Sequence, residues 1–287
     1  MQKILDVLHL FYPQMIMGTI LGCIIASLGV ILVLRKMAFY GVTLSQAVST
    51  SVAISLFFHW KGDIPIIFLS FLLLIPIMLF HKDATGENNT FLGVLFVIYA
   101  AVSQFLLSLG GNVQNHLLAS YFGDILTSNV KDNYPAFALI AASVFVFFAL
   151  YKKILFLSFD EDEFRIQKMS RLKVEFVFYV TMVVVLSISI NLLGSFYSIA
   201  HLLLPAYLGL WFVRSMRALF IFATVFSAIS TTSGFFLSLI PWQYQKQEIY
   251  FPTSSTVIVF MGVFSLLVMS CILVKRKLLP QTTGARA

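Results

Sequence analysis

Long apolar runs, separated by short polar or basic breaks, follow one another along the whole chain. A helix that crosses a bilayer needs roughly 20 mostly apolar residues. Nine stretches meet or approach that length: Pro13–Leu34, Thr43–Trp60, Ile64–Phe80, Phe91–Leu109, Tyr134–Tyr151, Val174–Leu193, Ser198–Val213, Met216–Ile240 and Pro252–Val274. The seventh follows Gly194 and contains Pro205, so a broken or re-entrant helix fits it as well as a spanning one. The pattern therefore predicts an all-α integral membrane protein with eight or nine transmembrane helices, in a single transmembrane domain over residues 1–287. The longest polar stretch, 152–173, is too short to fold alone and reads as a loop. The opening MQKILDVLHLFYPQM has no cleavable signal pattern, so the first apolar run is expected to act as an uncleaved insertion signal.

Basic residues orient the predicted spans. With the N-terminus outside and nine spans, 15 of the 19 Lys and Arg fall in inside loops and 4 outside. That asymmetry predicts an outside N-terminus, a cytoplasmic C-terminus and a cytoplasmic 152–173 loop. Composition agrees: 60% of residues are hydrophobic, against about 45–50% in soluble domains. The net charge of +7 is then a property of the inside loops, and no nucleic-acid partner is needed to explain it. Cys23 and Cys271 both lie in apolar segments without ligand spacing and read as small hydrophobes.

The spans lack what several function classes need. All twelve acidic residues fall in loops or at segment ends, and His201 is the lone ionisable side chain at depth. Ion-coupled carriers usually place such groups at mid-membrane, so a secondary carrier or a passive channel is the runner-up class. No G-x-x-x-x-G-K-[ST] loop occurs, so ATP hydrolysis would belong to a separate chain. No serine sits in a G-x-S-x-G turn beside a base, which disfavours an enzyme. No resident cofactor is expected.

Two polar stretches interrupt the apolar theme. In FYGVTLSQAVSTSVAISL, Thr43, Gln46 and Thr50 are spaced i, i+3, i+7 and share one helical face. Such a face is costly against lipid and tolerable against a water-filled pathway or a partner helix. The other stretch, SFDEDEFRIQKMSRLK, has Asp160–Glu163 followed by Arg165, Lys168, Arg171 and Lys173. With Ser158 as N-cap, that charge order suits a short helix and its dipole. It reads either as a solvated loop or as a docking helix in which Phe159 and Phe164 give apolar contacts.

Seven motifs, in order, resemble the permease subunits of bacterial ABC importers for zinc, manganese and iron. LRKMAFYGVTLSQAV resembles that family's basic turn followed by Gly-Asp-x-Leu-Ser-His. FLGVLFVIYAA, SYFGDILTSNVKD and LSFDEDEF resemble its I-G-I-L-F-A, L-F-G-x-I-L and S-F-D-x-E-x-A segments. LGSFYSIAHLLLPAYLGL resembles its G-x-L-L-V-x-A-L-L-x-x-P-A segment, with Gly194, Ala200, Pro205 and Ala206 matching. SGFFLSLIPWQY and FPTSSTVIVF resemble its ending.

The resemblance implies a homodimer or a pair of similar permeases around a central pathway. It implies cytoplasmic ATP-binding subunits docked on Phe159, Asp160, Glu161 and Glu163, and an extracytoplasmic solute-binding protein that delivers a divalent metal. Val42 and Gln46 stand where the family has Asp and His as expected metal ligands. A neutral amide is a poor zinc or manganese ligand. Three explanations remain open: a pathway of weak oxygen ligands, His201 as a replacement ligand, or a chelated metal or non-metal solute as cargo. Gln46 reads as a pathway residue, with Thr43 and Thr50, or as an interhelical hydrogen bond of about 1 kcal/mol. His201 reads as a metal ligand or as a neutral buried histidine. Ser227–Gly234 reads first as a small-residue packing face. His59 and Trp60 read as interfacial anchors, and His116 with Asp124 as an external pair or a turn.

Overall fold

The computed structural model describes residues 2–60, 62–79, 86–109, 125, 134–159, 161–167, 169–244, 247–249 and 251–278. Nine long helices and one short helix lie within them: α1 Gln2–Leu34, α2 Ala38–Phe57, α3 Asp63–Leu79, α4 Gly86–Ser108, α5 Tyr134–Phe159, α6 Glu161–Ile166, α7 Arg171–Leu193, α8 Ser195–Phe212, α9 Met216–Ser238 and α10 Thr253–Leu278. The expected spans coincide with these nine long helices. Seven are long and apolar enough to cross a membrane by length and composition. The other two are α2, which is too polar, and α3, which has 17 residues.

The bundle is all-α apart from one feature that the apolar pattern does not announce. Between α9 and α10, strands β1 Trp242–Tyr244 and β2 Gln247–Ile249 form an antiparallel hairpin with Trp242 opposite Ile249. The seventh segment is continuous: α8 keeps its helix through Pro205. The break falls at Gly194, whose φ of 91° ends α7 and begins α8 one residue later. That left-handed conformation favours glycine, because a Cβ would clash.

Three helices form the interior. Most of α1 from Phe11 onward and most of α7 are buried, whereas the apolar spans of α4, α5 and α10 are mostly exposed. Exposed Phe145 and Phe148 on α5, and Val259, Leu266 and Leu267 on α10, belong to the surface a bilayer would solvate. The third interior helix is α2, buried from Tyr40 to Ala53 almost without interruption and packed against α1, α3, α4, α7 and α8. A helix shielded by five neighbours meets little lipid, so it can carry hydroxyls that a peripheral span cannot. Close packing sets other distances. A Cβ built on Gly29 of α1 would lie 1.8 Å from the Leu202 carbonyl oxygen of α8, so only glycine allows the two backbones to approach this far.

Candidate functional site: polar clusters inside the bundle

The hydroxyls of Thr43, Ser45, Ser49, Thr50 and Ser51 in α2 are committed to helix carbonyls. Ser45, Ser49 and Ser51 donate to the carbonyls one turn back, at 2.9, 3.1 and 3.1 Å. Thr43 shares its hydroxyl between Phe39 O at 3.0 Å and Leu92 O of α4 at 3.2 Å. Thr50 repeats the arrangement with Gln46 O at 3.0 Å and Tyr99 O at 2.8 Å. Ser103 then donates to Thr50 Oγ1 at 3.3 Å, and the Tyr99 hydroxyl reaches Leu73 O of α3 at 2.8 Å. Both threonines meet α4 at the same offset of 49 residues. The two helices therefore run parallel, and the intervening α3 runs back between them in the chain. Gln46 is buried on this same helix, 5% exposed.

His201 sits in a second cluster, built from α1, α8 and α9. It is fully buried, with Nδ1 3.0 Å from Tyr197 O and Nε2 2.9 Å from Thr231 Oγ1. A carbonyl only accepts, so Nδ1 carries the proton and the Thr231 hydroxyl donates to Nε2. The Tyr197 ring stacks on the imidazole at 3.9 Å, and its hydroxyl reaches Gly18 O at 3.0 Å and Thr231 Oγ1 at 3.1 Å. Gly22 makes room for this group: a Cβ there would lie 2.7 Å from His201 Cδ2 and 2.9 Å from the Tyr197 hydroxyl. Both ring nitrogens of the neutral imidazole are thus engaged. The clusters around Thr43/Thr50 and around His201 share no hydrogen-bonded partner among the contacts described here. Among the described residues, no group of three or more His, Cys, Asp or Glu could hold a metal ion.

A third cluster lies at the opposite end of α2 from His59 and Trp60. Glu175 accepts from Arg35 at 2.8 Å and from Arg171 at 3.2 Å. Arg35 also lies 5.9 Å from the Phe178 ring centroid, and Tyr40 packs on Tyr179 at 5.2 Å. The pair pins the α1–α2 turn to the start of α7. Sequence reading counted Arg35 only as a topogenic charge. The available signal was Glu175 itself, an acid among bases at i, i+4 from Arg171.

The neighbouring segment, read from the sequence as a loop or a docking helix, is helical, as α6, but its start differs from expectation. Ser158 is not an N-cap: it lies in the last turn of α5 and donates to Ile154 O at 2.6 Å. Phe164 is buried against Phe156 at 5.6 Å, whereas Phe159 is 60% exposed. Glu163 accepts from Gln167 at 3.1 Å. Glu161 opens α6, while Asp160, His116 and Asp124 lie outside the described residues.

These features define a multi-pass membrane protein: a helical bundle with a polar interior helix and a short charged helix beside its basic turn. More particularly, the chain belongs to the ABC 3 transport family, which matches residues 8–277. The high-affinity zinc uptake system membrane protein ZnuB of Haemophilus influenzae is 25% identical over 232 residues, 80% of this chain and 88% of that protein. The manganese import system permease protein ScaB of Streptococcus gordonii is 23% identical over 232 residues, 80% of this chain and 82% of that one. PsaBC from Streptococcus pneumoniae, solved in complex with Fab, has the same fold, with a TM-score of 0.77 at 21% identity over 93% of this chain and 94% of that chain.

Proposed function

We propose that this chain is the transmembrane subunit of an ATP-driven importer that moves a divalent transition-metal ion, zinc, manganese or iron, into the cytoplasm. The family match across residues 8–277 carries this reading, and the relatives named for zinc and manganese uptake support the cargo. Cytoplasmic ATP-binding subunits hydrolyse the nucleotide, an extracytoplasmic binding protein delivers the ion, and two permease subunits flank the pathway. The N-terminus is outside and the C-terminus inside. The ATP-binding subunit docks on Phe159, Asp160, Glu161 and Glu163. The exposure of Phe159 and the anchoring of α6 through buried Phe164 support that assignment.

Gln46 is the pathway residue of α2. Thr43 and Thr50 hold the helix in place beside the pathway through their bonds to α4. His201 is a structural histidine, since both its nitrogens are engaged. With Val42 and Gln46 in place of an anionic and an imidazole ligand, the ion passes through weak neutral ligands, which suits release in every cycle.

The test is reconstitution of the permease with its ATP-binding subunit and binding protein into vesicles, with zinc, manganese, iron and cobalt offered in turn. Metal-dependent uptake coupled to stimulated ATP hydrolysis is the expected result. ATP-dependent uptake of a metal-free solute, with no metal taken up, would refute the cargo. Val42→Asp with Gln46→His should bind metal tightly and slow turnover. Unchanged binding and transport would remove Gln46 from the pathway.

A further inference from the structure

A cleft of about 500 Å³ opens between the α5 end and the α7 start, with Phe164 of α6 in its lining. Its lining includes Leu150, Lys153, Ser170, Lys173, Phe176 and Val177, with buried Phe164 behind them. Two cations thus stand over an apolar wall. Neither Lys153 nor Lys173 forms an ion pair with a described residue, because Glu175 is taken by Arg35 and Arg171. Lys153 lies just past the expected span Tyr134–Tyr151, and Lys173 immediately precedes Val174, where the next expected span begins. The depth is therefore that of the headgroup layer.

The cleft faces outward. α5 is the least buried of the seven long apolar helices, and Leu172 and Phe176 on α7 are 80% and 59% exposed. No acid stands in the first turn of α7, and its Ser170 N-cap makes no side-chain capping bond. The positive end of the helix dipole adds to the same field.

We propose that this cleft binds an anionic glycerophospholipid, its phosphate between Lys153 and Lys173 and its acyl chains along Leu150, Phe176 and Val177. A basic pocket between transmembrane helices at the membrane surface recognises such headgroups by charge. A zwitterionic lipid adds an opposing cation and loses that attraction. The apolar wall distinguishes a lipid from free phosphate, which gains nothing from Phe176. The site depends on neither cargo nor orientation, since phosphate headgroups line both membrane faces.

Native mass spectrometry of the full-length permease in detergent, titrated with phosphatidylglycerol or with phosphatidylcholine of the same chains, tests the site. Phosphatidylglycerol should bind in preference. Lys153→Gln and Lys173→Gln should each weaken it roughly 5-fold, and together about 30-fold, at the usual worth of a lysine near an anionic surface. Lys153→Arg with Lys173→Arg should retain binding, and Lys152→Gln, outside the cleft lining, should leave it unchanged. Equal binding of phosphatidylcholine, displacement by excess inorganic phosphate, or an equal loss in Lys152→Gln would overturn the proposal. So would a Gln pair that keeps its lipid but loses the ATP-binding subunit, which would make the cleft a protein contact.

Discussion

Glu175→Gln removes the hub of the cluster that ties the α1–α2 turn to α7. The carboxylate accepts from two guanidiniums, and the Arg35 and Glu175 side chains are only 11% and 12% exposed, against 36% for Arg171. Removing one partner of a buried pair strands the other charge, at about 3–5 kcal/mol. The Phe178 ring under Arg35 offsets about 1 kcal/mol of that, leaving about 2–4 kcal/mol. Arg35→Met is milder, because Glu175 keeps Arg171 and loses one charge-assisted hydrogen bond, about 1.5–3 kcal/mol. Thermal unfolding of the purified permease in detergent reads the difference. At about 2–4 °C per kcal/mol for chains of this order of size, Glu175→Gln should lower the midpoint by roughly 4–16 °C and Arg35→Met by less. Exchanging the two residues should recover only part of the loss, since position 175 would then repel Arg171. An Arg35→Met midpoint at or below that of Glu175→Gln would refute the asymmetry, and with it Glu175 as the hub.

Gly29→Ala should destabilise by about 3 kcal/mol, the upper end for overpacking, because the obstruction at Gly29 is backbone; Gly262→Ala, with open space around it, should leave the unfolding midpoint unchanged. Thr50→Val removes the donor to Tyr99 O and the acceptor for Ser103 at constant shape, and should cost about 1–2 kcal/mol by the same assay, while exposed Thr256→Val costs less. A cysteine placed at Gln167 should resist an impermeant thiol reagent added to intact cells, and labelling there would reverse the proposed orientation.

How much of this was legible depended on what the solvent enforces. Lipid forbids unpaired backbone groups, so the spans announce themselves as apolar runs, and all nine long helices were found where those runs lie. The polarity of α2 was equally visible, but hydroxyls at i, i+3 and i+7 look the same whether they face water or a neighbouring carbonyl. Only the fold shows Thr43 and Thr50 against α4. Long-range partners were not readable at all: Arg35 and Glu175 are 140 positions apart, and His201 and Thr231 are 30. Ser158 misled because a serine before acids resembles a cap, whereas α5 ran on through it and took its hydroxyl for Ile154. The hairpin after α9 is too short for alternation to mark it.

The repeated threonine bonds between α2 and α4 constrain how this protein can move. Thr43 to Leu92 and Thr50 to Tyr99 are two rungs set seven residues apart on both helices. A slip of one residue along the shared axis breaks both rungs at once and leaves two buried hydroxyls to their own helix. Sliding between these helices is therefore a stepwise event with a barrier, not a soft mode. Any rearrangement that keeps both rungs must carry α2 and α4 together, with α3 tied to them through Tyr99 and Leu73. A displacement of α2 that spares the rungs would then fall on its other flanks, where it meets α1, α7 and α8.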